Sequence, residues 1–171
     1  MNSKSTFSKE CLKQALFELM AHKKFEEITI TELTEKAGVS RPCFYRNYND
    51  KIDIINEYLQ TIVTAFEKNK DKIFGNESYN TYLLLYKEIK SHEKYIKTIY
   101  NASIINSSTI LYNVLITNKS HYNLPYIEVA LFGALNAILT KWIINNMKDP
   151  IEEMAKVSTR ITKAYLETIV E

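Results

Sequence analysis

The stretch at residues 29–51, TITELTEKAGVSRPCFYRNYNDK, constrains this chain more than any other. Thr29 and Glu32 form a Thr-x-x-Glu capping box, which ties down the free amides at a helix start. Ile30, Leu33 and Ala37 recur at helical spacing and give that helix one apolar face. Gly38 ends it where a left-handed residue is needed. Val39 plugs the turn, and Ser40 caps a second helix at about residues 41–48. Pro42 is tolerated in the first turn, where its missing N–H leaves no bond unmade. Phe44 and Tyr48, four apart, anchor this helix to a core behind it. Asn49 or Asp50 then caps a third helix. The pattern predicts a helix-turn-helix, a layout whose second helix lies in the DNA major groove.

The residue types on the second helix suit that task. Arg41 can meet a guanine edge in a bidentate way or pair with phosphate. Tyr45, Arg46 and Asn47 offer further polar tips. Lys51 falls beside the next helix start, where backbone amides and an ammonium together favour a phosphate. The expected DNA-contacting set is Thr29, Ser40, Arg41, Pro42, Cys43, Tyr45, Arg46, Asn47 and Lys51. Cys43 reads either as a redox switch or as a small inert side chain. Lys4 and Lys9, near the start of a first helix expected at about residues 8–22, touch the DNA backbone or are solvated surface charges. Leu12, Ala15, Leu16, Leu19 and Met20 give that helix an apolar stripe.

Residues 7–55 resemble the DNA-binding domain of the TetR family of bacterial transcriptional regulators. The likeness rests on the apolar first helix, Phe25, Thr29, Leu33, Ala37-Gly38-Val39-Ser40, Phe44-Tyr45-Arg46, Tyr48 and Asp50-Lys51. Three positions depart from the family pattern. Pro42 stands where glycine is common, Cys43 where threonine is common, and Tyr48 where phenylalanine is usual. The resemblance implies an all-α protein of about nine helices. A three-helix DNA-binding domain at residues 1–51 would precede a helical ligand-binding and dimerisation domain at 52–171. It also implies a homodimeric repressor, released from a palindromic operator by a small-molecule effector. The alternative is a co-regulator or activator that works through a protein partner.

Composition agrees with a helical chain. Only three Gly and three Pro occur in 171 residues, so breakers are scarce, and 46% of residues are hydrophobic. The net charge of +2 falls within residues 1–51, which hold nine Lys/Arg against seven Asp/Glu. The start, MNSKSTFSKE, lacks the apolar run of a secretory leader, and no apolar segment has the length of a membrane span. Cys11 and Cys43 make no disulfide framework. A cytoplasmic, reduced protein is the expectation.

Beyond Lys51 the apolar pattern marks a long helix running to Phe74-Gly75 and a turn at 76–80. Helices are then expected at about 82–91, 92–101 and 107–118, with a polar loop at 119–123. Residues 129–140 contain no charge, so this helix needs cover on all sides. Asp149-Pro150-Ile151-Glu152 is a strong start for the last helix. Two such helices from each chain would make a two-fold four-helix bundle; the alternative is a hairpin internal to one chain. The expected interface residues are Leu131, Gly133, Ala134, Ala137, Ile138, Met154, Ile161 and Tyr165. Residues 142–155, WIINNMKDPIEEMA, resemble the C-terminal part of a TetR subgroup that includes regulators of dihydroxyacetone utilisation.

Tyr58, Ile62, Phe66, Tyr82, Tyr86, Tyr100 and Trp142 are the candidates for lining an effector pocket. At helical spacing the same residues equally well make plain core. His22, His92 and His121 show no metal-ligand spacing, so no metal or cofactor is expected. No catalytic triad, phosphate loop or paired-carboxylate motif stands out, so no enzymatic activity is expected.

Overall fold

The computed structural model describes residues 3–67, 77–102 and 126–168. Among them are eight α-helices and no strand. Helix α1 spans Ser3–Met20, and a short 3-10 turn follows at Phe25–Glu27. Helices α2 (Ile30–Ala37), α3 (Arg41–Asn47) and α4 (Lys51–Glu67) complete the N-terminal part. The body holds α5 (Ser78–Ser91), α6 (Glu93–Asn101), α7 (Tyr126–Ile144) and α8 (Ile151–Thr168). The helix expected at 107–118 and the loop at 119–123 lie outside the described residues.

Local chemistry sets the short helices. The Thr29 hydroxyl accepts the Glu32 N–H at 3.1 Å and starts α2. Gly38 takes φ 66° and closes it. The Gly38 N–H donates to Glu35 and the Val39 N–H to Thr34, the paired bonds of a Schellman stop. The Ser40 hydroxyl accepts the Cys43 N–H at 3.3 Å and starts α3. Beneath these helices Leu12, Leu16, Leu33, Phe44 and Ile55 are fully buried. Phe17, absent from the stripe read in the sequence, is buried too, edge-on to Tyr58 with ring centroids 5.3 Å apart. The core continues without a break through α4 into the body.

Two boundaries differ from the sequence reading. Helix α1 begins at Ser3, a turn earlier, because its polar first residues include no breaker. Helix α5 begins at Ser78, inside the stretch expected to be a turn. Ser78 and Thr81 look like turn residues, yet both are buried, and the Thr81 hydroxyl donates to the Glu77 carbonyl at 3.0 Å. A hydroxyl satisfied by its own helix can sit in a core.

In the body, α5 packs most extensively on α8, and α7 also lies on α8. Two hydroxyl pairs cross the α5–α8 contact. Tyr82 bonds Thr162 at 2.7 Å and Tyr86 bonds Ser158 at 2.8 Å. The α7–α8 corner is tied by the Trp142 indole N–H, which donates to the Asp149 carbonyl at 2.9 Å, and by Asn145, which donates to the Asp149 carboxylate at 2.9 Å. Asn146 and Met147 both take positive φ, 57° and 52°, to turn this corner.

Candidate nucleic-acid interface

Helix α3 divides cleanly by burial. Phe44 and Tyr48 point inward, while Arg41, Pro42, Tyr45 and Arg46 are exposed. The exposed residues form two pairs four apart, 41 with 45 and 42 with 46, so they share one side of a short helix. The Tyr45 ring stands edge-on to Phe44, centroids 5.2 Å apart, yet is 53% exposed. Two arginines and a tyrosine on one solvated helix face supply hydrogen-bond donors for base edges and phosphates.

Of the other residues in the expected DNA-contacting set, Thr29, Ser40, Asn47 and Lys51 have side-chain partners within the chain. Thr29 and Ser40 are the caps already described. Cys43 is half-buried with a free thiol. Asn47 donates to the Cys43 carbonyl at 2.8 Å and accepts from the Ser5 hydroxyl at 2.8 Å, which ties the end of α3 to the start of α1. Lys51 turns away from solvent, and its ammonium donates to the Phe25 and Ile28 carbonyls, each at 2.6 Å. Lys9 is held by the Glu57 carboxylate at 2.9 Å and lies over the Tyr48 ring. Burial and then the Glu57 carboxylate push the Tyr48 phenol well above its ordinary pKa, so it stays neutral. The Lys4 side chain lies outside the described residues.

Sequence reasoning missed Ser5 and Asp53. The Asp53 carboxylate accepts the N–H groups of Asn49 and Asp50 at 2.8 and 2.9 Å, and so caps α4. Its signal was present as an acid three residues after Asp50, the spacing of a capping box. Ser5 carried no signal, because its partner is 42 residues away. A groove of about 370 Å³ runs beside α3, lined by Tyr45, Arg46, Asn47, Tyr48, Asn49, Asp53 and Glu57.

Of the residues expected to line a ligand pocket, Tyr58, Ile62, Tyr82, Tyr86 and Trp142 sit in the core and Tyr100 packs against it. Ile62 is buried in α4 and Tyr100 is half-buried, while the side chain of Phe66 lies outside the described residues. Tyr82, Tyr86 and Trp142 are buried with their polar atoms bonded within the chain. Burial pushes the Tyr86 phenol up to about 12 and also holds the Tyr82 phenol above its ordinary value. Tyr58 bonds His92 Nδ1 at 2.6 Å, and His92 Nε2 lies 3.2 Å from Glu88. A cleft of about 780 Å³ opens elsewhere, where residues 20–26 face Thr98, Asn101 and Ala102. None of the expected pocket residues lines it. Among the described residues no cluster of three metal-ligating side chains occurs.

The last two helices carry an exposed apolar face. Tyr126 is 95% exposed, and Ile127, Val129, Ile144 and Val157 are exposed as well. Gly133 and Ala137 lie on the open side of α7, and a Cβ built on Gly133 meets nothing within 4 Å. Ala134, Ile138, Ile161 and Tyr165 are half-buried at its flanks. Leu131 and Met154, also expected at the interface, are buried inside the protomer, Leu131 on α7 and Met154 on α8.

Residues 1–103 match a family of unknown function, DUF6262. The chain belongs to that family. This DUF6262 member is also 25% identical, over 142 residues, to the uncharacterized HTH-type transcriptional regulator YxbF of Bacillus subtilis (strain 168). That match covers 78% of the chain but only 37% of the relative, so the chain spans little more than a third of the relative's length. Among solved structures, the dihydroxyacetone kinase operon activator DhaS superposes with a TM-score of 0.58 at 17% identity. The superposition covers 95% of this chain and 96% of that one. At that identity the likeness establishes the all-helical fold. Both proteins are named as regulators of transcription and neither as an enzyme. Among the described residues no helix is long and apolar enough to cross a membrane.

Proposed function

We propose that this chain is a TetR-like, cytoplasmic transcription regulator whose residues 1–51 read DNA and whose residues 52–171 dimerise and receive the regulatory signal. The observation that carries the reading is the solvated set Arg41, Pro42, Tyr45 and Arg46 on a short helix, capped by Ser40 and anchored by Phe44 and Tyr48. Relatedness to a helix-turn-helix regulator supports the same role. The exposed apolar face of α7, with open space beside Gly133 and with Ala137 exposed, supports a homodimer built through the last two helices. A two-fold dimer would present two copies of α3 to a palindromic operator.

The test is binding to a labelled fragment of the DNA that flanks its gene, titrated at two salt concentrations against scrambled competitor. Tight, salt-sensitive, competitor-resistant binding with two subunits per site is the expected result. Equal, weak binding to both DNAs would sink the reading.

Two modes of regulation follow. In the first, a small-molecule effector releases a repressor from its operator. In the second, the body meets a protein partner, as in an activator or co-regulator. The second is favoured by the polar atoms of Tyr82, Tyr86 and Trp142, which are all bonded within the chain. Reporter transcription in a strain lacking the gene gives the sign of regulation: a rise marks a repressor and a fall marks an activator.

A further inference from the structure

The geometry points to Lys51 as a positioning residue of the DNA-reading head, one that holds the turn before α2 rather than meeting a phosphate. This rests on the DNA-reading role proposed above. The Lys51 ammonium, at the start of α4, reaches back to the carbonyls of Phe25 at 2.6 Å, Ile28 at 2.6 Å and Glu26 at 3.3 Å. An ammonium has three N–H donors, so these bonds use all of them. The face of the Phe25 ring adds a cation–π contact at 4.6 Å. The residue after Ile28 is Thr29, the N-cap of α2. Holding residues 25–28 therefore sets where α2 begins. The Gly38 stop passes that placement on to α3.

A second observation points the same way. A helix start attracts an anion because its amides are unpaired. At α4 the amides of Asn49, Asp50 and Ile52 are taken by the chain's own carboxylates. Asp53 accepts from Asn49 and Asp50, and Asp50 accepts from Ile52 at 3.3 Å. An incoming phosphate would meet two carboxylates and an ammonium already fully bonded. Phosphate contact falls instead to exposed cations such as Arg46.

The test compares operator affinity against salt concentration for the parent, Lys51→Met and Arg46→Ala. Each phosphate contact contributes about one to the slope of log affinity against log salt. Lys51→Met is expected to bind about tenfold more weakly with the slope unchanged, whereas Arg46→Ala lowers the slope by about one. A slope lowered by about one in Lys51→Met, or an unchanged affinity, overturns the proposal. If the Met variant does not fold, Lys51→Arg decides. The wider guanidinium keeps the charge but not the fit to three converging carbonyls. Lost affinity then supports positioning, and full affinity overturns it. Amide hydrogen exchange on the DNA-free protein gives an independent readout. Faster exchange at Glu27 and Ile28 in Lys51→Met is expected, and unchanged exchange overturns the clamp. Should the parent bind no operator, the DNA-reading role fails by itself, while the exchange comparison still decides whether Lys51 holds the turn.

Discussion

Arg41 and Tyr45 stand on the solvated side of α3, while Phe44 beside them is fully buried. Truncating either exposed side chain removes little core packing. Arg41→Ala and Tyr45→Ala are expected to keep stability within about 0.5 kcal/mol of the parent. Each is expected to weaken operator binding by about 1–3 kcal/mol where the contact is to a base. Anisotropy titrations and thermal melts on the same samples check both. Ser40→Ala differs in kind, since it removes a cap and is expected to cost about 1 kcal/mol before any DNA is added. Acid should act on the surface ion pairs. Lys23 beside Glu32, and Lys90 and Lys97 beside Glu93, hold those carboxyls below the ordinary 4.5. A lowered carboxylate pKa gives stability that is present at neutral pH and lost as pH falls below 4.5. Because these groups are only half-buried and in contact with solvent, the loss is expected to be small and shallower in high salt. Urea midpoints from neutral pH to about pH 3, at two salt concentrations, measure it. An onset above neutral pH would contradict the assignment.

Among the elements, α2 and α3 were legible in the sequence because their signals are local. Thr29, Gly38 and Ser40 each act within a few residues, and all three do what their residue types predict. The start of α5 was misread because Ser78 and Thr81 resemble turn residues until their burial is known. The engagements of Lys51 and Asn47 were illegible for a different reason. Apart from the Asn47 bond to Cys43, their partners lie 23 to 42 residues away, and no short pattern encodes such a meeting. The aromatic residues of the body carried two readings at once, pocket or core. Only the hydroxyl partners on α8 show how Tyr82 and Tyr86 are accommodated. A double-mutant cycle of Tyr86→Phe with Ser158→Ala is expected to give a coupling of about 1 kcal/mol in chemical unfolding. Additivity of the two single changes would show that the bond contributes nothing.

For the whole molecule, the charge-free helix announced that it needs cover on all sides, but not which sides its own chain would cover. Leu131 faces the protomer core, whereas Gly133 and Ala137 face away. Ala137→Glu is therefore expected to leave the protomer folded and to abolish the proposed dimer. Sedimentation should then show monomers, with operator affinity lost in parallel. A variant that remains dimeric would move the interface elsewhere. The two hydroxyl pairs between α5 and α8 limit how such a molecule can change shape. A one-turn slide of α8 along α5 would set one tyrosine hydroxyl against Leu166 or Met154 and strand it in an apolar contact. Shear between these helices is thereby penalised at every intermediate step. The pair is expected to move as one unit, which favours hinge rotation about α4 over shear between α5 and α8 for the proposed signal to the head.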